Sequence, residues 1–336
     1  MPAMSSEPRK SAWRGVTLRV AGSALIFALL FHFVPFAEAW QALRRLPPLA
    51  WLAVLGGYFC AHLAGVNKYK LMLNGAGAEL NFAQAARCYF AGLFGALLLP
   101  SVVGGDLVKA GLALRLGRSK AGVLLGSLLD RLLDMTVLVT LATIGVVLMP
   151  GALEPADRRG FLIVVAAVIA AGVVAAAVVM LLPARRFPYR IQRWLVRLRR
   201  AARSMGRRPG RVVAALGLGF LAQLGFLTLT TLLAAACGLH LPYRAWLFAW
   251  PLAKITAFLP ISQAGIGVRE AALAALLVPF GAAGGVVVGV GLAWETVVIT
   301  AALLSGLISL LLGRLPAGQS RSIDSGVAGR YEIPRS

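Results

Sequence analysis

The chain is poor in acid: 12 of its 336 residues are Asp or Glu, against 34 Lys and Arg, giving a formal net charge of +22. Charged residues total 14%, where a soluble domain carries about a quarter. So little charge does not cover a core drawn from 59% apolar residues. Two ordinary water-soluble domains are therefore excluded, and the composition points to one all-α membrane bundle. Cysteine and histidine are equally scarce. Cys60, Cys88 and Cys237 stand alone inside apolar runs, without paired spacing, and read as small buried hydrophobes. His32, His62 and His240 lack the paired helical spacing that a haem or metal site needs, so no metal and no cofactor is expected. A paired-aspartate motif and a nucleotide loop are missing too. This weighs against a membrane enzyme acting on isoprenoid phosphates, and the chain is expected not to be an enzyme.

The basic charge is unevenly spread. Arg185 to Arg211 contains no acidic residue and lies between two long apolar runs. Part of it has the arginine spacing of an amphipathic helix. Such a stretch holds a loop, here residues 184–211, on the cytoplasmic side and brings it against anionic lipid headgroups. This placement argues against nucleic acid as the partner.

Apolar runs of about 20 residues predict spanning helices. Six are read, at Val20–Phe36, Pro48–Val66, Ala121–Met149, Phe161–Leu182, Val212–Cys237 and Gly284–Leu312. Two more apolar stretches, Phe82–Leu116 and Tyr243–Phe280, are broken near the middle by Pro and Gly. They read as re-entrant hairpins that enter the membrane and leave on the same side. With the hairpins non-spanning, Arg9, Lys10, Arg14, Arg19, Lys68, Lys70, Arg115, Arg118, Lys120 and the arginine-rich loop all fall inside. Residues 1–19 and a disordered tail at 313–336 are then cytoplasmic, and the spanning domain covers 20–312. Arg44, Arg45, Arg158, Arg159 and Arg244 fall outside. The first span followed by Ala37-Glu38-Ala39 also resembles a signal peptide, but its length and the even span count favour a retained helix. Trp40, Trp51, Trp246 and Trp250 fit interfacial anchors.

The two broken stretches share an order of residues. Leu99-Pro100-Ser101 runs to Gly104-Gly105-Asp106 and Lys109; Leu259-Pro260-Ile261-Ser262 runs to Gly265-Ile266-Gly267-Val268-Arg269-Glu270. Each follows one span and precedes a long one, giving half-repeats at about 48–149 and 212–312, inverted relative to each other. Paired Gly/Pro-interrupted segments of this kind point to a transport site near the midplane, because unwound backbone must face protein or a water-filled cavity. The outgoing half-helices would aim N–H groups and a positive dipole end at that cavity, where a lipid phosphate fits. Kinks between packed helices are the plainer reading of one such break. Gly285 and Gly289 read as close-packing positions between helices.

Asp130, Arg131 and Asp134 lie inside the third span, with Arg131 about 16 Å deep at 1.5 Å per residue. Intramembrane ions face the bundle interior and need partners. Arg131 and Asp134 are spaced to pair with each other, and neutralisation and substrate contact both remain open for them. Arg269 is the stronger candidate, at a half-helix start and with a fork that suits phosphate. Lys254 contacts substrate or snorkels. Glu295 needs either a basic partner or a cationic headgroup. The candidate substrate-binding set is Pro100, Ser101, Gly104, Gly105, Asp106, Arg131, Lys254, Pro260, Ser262, Gly265, Gly267, Arg269, Glu270 and Glu295.

Asn67-Lys68-Tyr69-Lys70, the Leu99–Asp106 run, Asp130-Arg131 and Leu259–Glu270 together resemble the flippase-like membrane region of bacterial lysylphosphatidylglycerol synthases, over roughly residues 15–312. The resemblance implies a bacterial inner-membrane protein that moves a phosphate-bearing lipid between leaflets. Only residues 313–336 follow the last span, so a stand-alone relative without the synthase domain is expected. Two other readings stay open: a small-solute secondary transporter, and a non-catalytic membrane subunit docking a soluble partner on the arginine-rich loop.

Overall fold

The computed structural model describes residues 36–99, 102–149, 188–207, 209–256 and 267–314, with isolated positions between 159 and 183. The described residues are helical, without strands. In chain order the helices are α1 (Phe36–Arg45), α2 (Pro48–Gly75), α3 (Phe82–Leu98), α4 (Val102–Leu116), α5 (Lys120–Leu148), α6 (Tyr189–Gly206), α7 (Pro209–Ala236), α8 (Tyr243–Thr256), α9 (Val268–Leu277) and α10 (Gly284–Arg314). Four of them, α2, α5, α7 and α10, are long and apolar enough to cross a membrane. The predicted spans at Val20–Phe36 and Phe161–Leu182 lie essentially outside the described residues, as does the tail.

Local signals set the boundaries. Pro48 opens α2 at a position where its missing N–H goes unneeded. Asn81 and Gln84 form a reciprocal cap on α3: the Gln84 N–H donates to Asn81 Oδ1 at 2.8 Å, and the Asn81 N–H to Gln84 Oε1 at 3.0 Å. Ser119 Oγ accepts from the Gly122 N–H to start α5. α2 runs nine residues beyond its predicted end at Val66, to Gly75. The predicted span stops at Val66 and leaves Lys68 and Lys70 on the cytoplasmic side. Lys68 and Tyr69 instead turn into the protein, 2% and 0% exposed.

The two broken stretches fold as helix pairs, α3–α4 and α8–α9, and each pair packs on itself. A Cβ at Gly105 would lie 2.6 Å from the Gly92 carbonyl oxygen, so the turn of α4 after the break needs glycine to lie against α3. The pairs then exchange partners. α3 packs along α10 and α8 along α5, while α2 packs against α7 between them. Each exchange uses a glycine on the long helix: a Cβ at Gly145 would meet the Phe248 backbone, and one at Gly306 would meet the Phe94 ring. The short helices follow the same pattern, α1 lying on α10 and α6 on α5. Gly285 and Gly289 are indeed packing positions, closed over by Glu38, Ala39 and Ala42 of α1.

The largest buried apolar cluster joins α1, α2, α5, α7, α8, α9 and α10. Trp246 and Trp250 belong to it, 1% and 4% exposed, so they are core residues and not interfacial anchors. Their helix carries too many large apolar residues to leave one face for water. Cys88 and Cys237 are buried, but Cys60 is exposed. Leu128, Leu132, Leu221, Leu232, Leu303, Leu307 and Leu310 point outward and leave an apolar exterior, as lipid requires.

Candidate functional site

Two ion clusters and an aromatic seam occupy the interior. The first cluster forms where α2, α4 and α5 meet. Asp130 on α5 is 1% exposed and binds two ammonium groups. Lys109 Nζ lies 2.8 Å from its Oδ2, and Lys68 Nζ 2.9 Å from its Oδ1. Lys68 also reaches Asp134 at 2.6 Å and donates to the Asp130 carbonyl at 3.2 Å. Lys109 continues to Asp106 at 3.6 Å, and Asp106 to Arg131 at 3.2 Å. The chain Asp134–Lys68–Asp130–Lys109–Asp106–Arg131 alternates in sign and sums to zero. That balance is what makes six ions tolerable in an apolar bundle.

The second cluster sits where α9 meets α10. Arg269 donates through Nη2 to Glu270 Oε1 at 2.7 Å and to Glu295 Oε1 at 2.8 Å, with Nε also on Glu270 at 3.1 Å. Glu270 is fully buried, and its other oxygen accepts the Gly267 N–H at 2.7 Å. Gly267 has φ +87°, a left-handed conformation that favours glycine, and it lets α9 begin abruptly after the break. Glu270 thus fixes the helix start and the arginine together.

Between the clusters runs the seam. Lys109 Nζ stands over the rings of Tyr69 (4.4 Å) and Tyr89 (5.2 Å). Tyr89 Oη is 3.1 Å from His62 Nδ1, and the His62 ring packs edge-on against Tyr58 and tilted against Phe226. Lys254, on α8 just before the second break, lies over Phe226 (4.9 Å) and Trp250 (4.6 Å). It donates to Gln223 Oε1 on α7 at 2.8 Å. No carboxylate stands within ion-pairing distance of Lys254 among the described residues. His62 Nε2 is buried without a hydrogen-bond partner among them.

The predicted site residues separate on these facts. Asp106 joins Arg131, and Arg269 joins Glu270 and Glu295; Lys254 stands apart. Arg131 goes to Asp106 and Asp134 to Lys68, where the sequence suggested a pair on one helix. Glu295 has a basic partner. Gly104 and Gly105 are occupied by packing against Leu99 and α3. Pro100, Ser101, Pro260, Ser262 and Gly265 lie outside the described residues. Sequence reasoning missed Lys68, Tyr69, Tyr89, His62 and Gln223 as members of this interior. An unusual Lys and His in an apolar helix was the available signal.

Buried ions on broken helices within a multi-pass apolar bundle define a membrane protein with a polar interior. The family model described as the lysylphosphatidylglycerol synthase TM region matches residues 16–306, and the chain belongs to that family. No curated protein and no solved structure matches the chain.

Proposed function

We propose that the chain is a non-catalytic lipid transporter that moves a phosphate-bearing lipid between the leaflets of a bacterial inner membrane. The observation that carries this reading is Lys254. Four interior cations already have carboxylate partners, whereas Lys254 has an amide and two ring faces. An ammonium in that setting keeps donor capacity and positive potential for an arriving anion. The partnerless His62 Nε2 nearby along the seam supports a polar visitor as well. Arg269 is better read as the holder of Glu270 and Glu295 than as the phosphate ligand. The exchange of hairpins between α5 and α10 supports an inverted repeat about an axis through α2 and α7, the arrangement that suits alternating access.

Lys254→Gln should purify and melt like the parent yet lose most lipid translocation in proteoliposomes. Removal of one charge-assisted contact corresponds to about tenfold or more. Translocation at the parental rate would sink the assignment. Mass spectrometry of lipids retained in mild detergent identifies the headgroup. The topology has its own test. Cysteines placed singly in a Cys-free background should be shielded from an impermeant outside reagent at position 200 and labelled at position 156. Outside labelling at position 200 would overturn the inverted frame.

A further inference from the structure

The interior networks leave Lys70 and Arg211 unused. Both line a pocket of about 470 Å³ with Asn67, Leu71, Asn74 and Leu218. Asn67, Lys70, Leu71 and Asn74 recur at helical spacing and form one stripe of α2. Arg211 and Leu218 lie two turns apart on α7, which packs beside α2. The pocket is therefore a meeting of two stripes on rigid helices. Asn74 is committed to the loop that follows α2: its Nδ2 donates to the Leu80 carbonyl at 2.8 Å and its Oδ1 accepts the Leu80 N–H at 2.7 Å. It serves as a fixed wall. Lys70 and Arg211 are half-buried, and no carboxylate stands within ion-pairing distance of either among the described residues.

The depth of this pocket identifies its surroundings. Lys70 follows Pro48 by 22 residues. At 1.5 Å per residue that is about 33 Å along α2, five residues short of its end at Gly75. Arg211 is in the first turn of α7, at the same end of the bundle. Both helices are long and apolar enough to span. The pocket thus opens at a membrane–water boundary, with Leu218 on the hydrocarbon side of Arg211. A basic ledge lies on α6, which touches α2 and α7: Val196, Arg199, Arg200, Arg203 and Arg207 line a second recess of about 340 Å³.

We propose that the Lys70–Arg211 pocket binds the headgroup of an acidic glycerophospholipid. The phosphate lies between the guanidinium fork and the ammonium, and the glycerol rests over Leu218. The apolar floor and the boundary depth select a lipid over free phosphate. The site is separate from the interior clusters and does not rest on the transport reading.

Native mass spectrometry of the full chain, titrated in detergent with phosphatidylglycerol or phosphatidylcholine, tests this. The parent should bind phosphatidylglycerol more tightly by about tenfold or more. Lys70→Gln/Arg211→Gln should erase that preference, and the charge-keeping swap Lys70→Arg/Arg211→Lys should retain it. A Gln pair that melts like the parent and keeps the preference overturns the proposal. If the Gln pair fails to fold, the single changes Lys70→Gln and Arg211→Gln decide: a folded single change that weakens the preference supports the site, and folded single changes that both keep it in full overturn the site. Displacement of phosphatidylglycerol by equimolar inorganic phosphate would make this a free-phosphate site and defeat the lipid assignment. Loss of the preference in Arg200→Gln/Arg203→Gln with Lys70 and Arg211 intact would move the binding to the ledge and also defeat it.

Discussion

Asp130→Ala is expected to be the most destabilising single change in the molecule. Its carboxylate is 2% exposed and holds Lys68 and Lys109 at once. Without it Lys68 retains Asp134, but Lys109 is left with Asp106 at 3.6 Å and two aromatic faces. Breaking a buried ion pair from one side costs about 3–5 kcal/mol, because the remaining charge stays desolvated. That is a large part of the stability of an ordinary domain. The melting temperature in detergent should fall steeply, and yield with it. Asp130→Asn keeps the shape and one acceptor, so its loss should be smaller. An Asp130→Ala protein melting with the parent would mean that water or lipid already screens the cluster.

The second large effect is expected at Arg269, and it separates a structural arginine from a substrate ligand. Arg269→Ala leaves Glu270 and Glu295 facing each other with no cation between them. A loss of about 3–5 kcal/mol follows if the arginine is structural. Neutralising one acid should relieve it, so Arg269→Ala/Glu295→Gln should recover much of the melting temperature. Arg269→Lys should recover only part, since a single ammonium does not reproduce three donor contacts on two carboxylates. The opposite pattern, normal melting with translocation abolished, would return Arg269 to the phosphate site.

Much of the fold was legible in the sequence, because long apolar runs and Pro/Gly interruptions are direct consequences of backbone hydrogen bonding in lipid. Four of the spans and both helix pairs follow from those runs. The site was legible only in part. Asp130, Arg131 and Glu295 announce themselves as ions in apolar helices. Which ion meets which depends on how α2 and α4 approach α5, and spacing along one helix carries no information about that. Lys68 misled for a physical reason: a lysine at the end of an apolar run marks a boundary when it faces water and a buried pair when it faces Asp130 and Asp134. Trp250 misled similarly, since a tryptophan suits a membrane interface and a cation's ring face equally well.

The exchange of hairpins has a consequence for biogenesis. α3 finishes at Leu98, but α10, along which it packs, does not begin until Gly284, 284 − 98 = 186 positions later. At 5–20 residues per second, the first hairpin waits about 10–40 s for its partner to leave the ribosome. During that wait its α10-facing side has no partner from its own chain, and its only cover is lipid or an insertion factor. The bundle therefore closes only once the last span has been inserted, and a chain truncated before Gly284 should be recognised as unfinished and degraded.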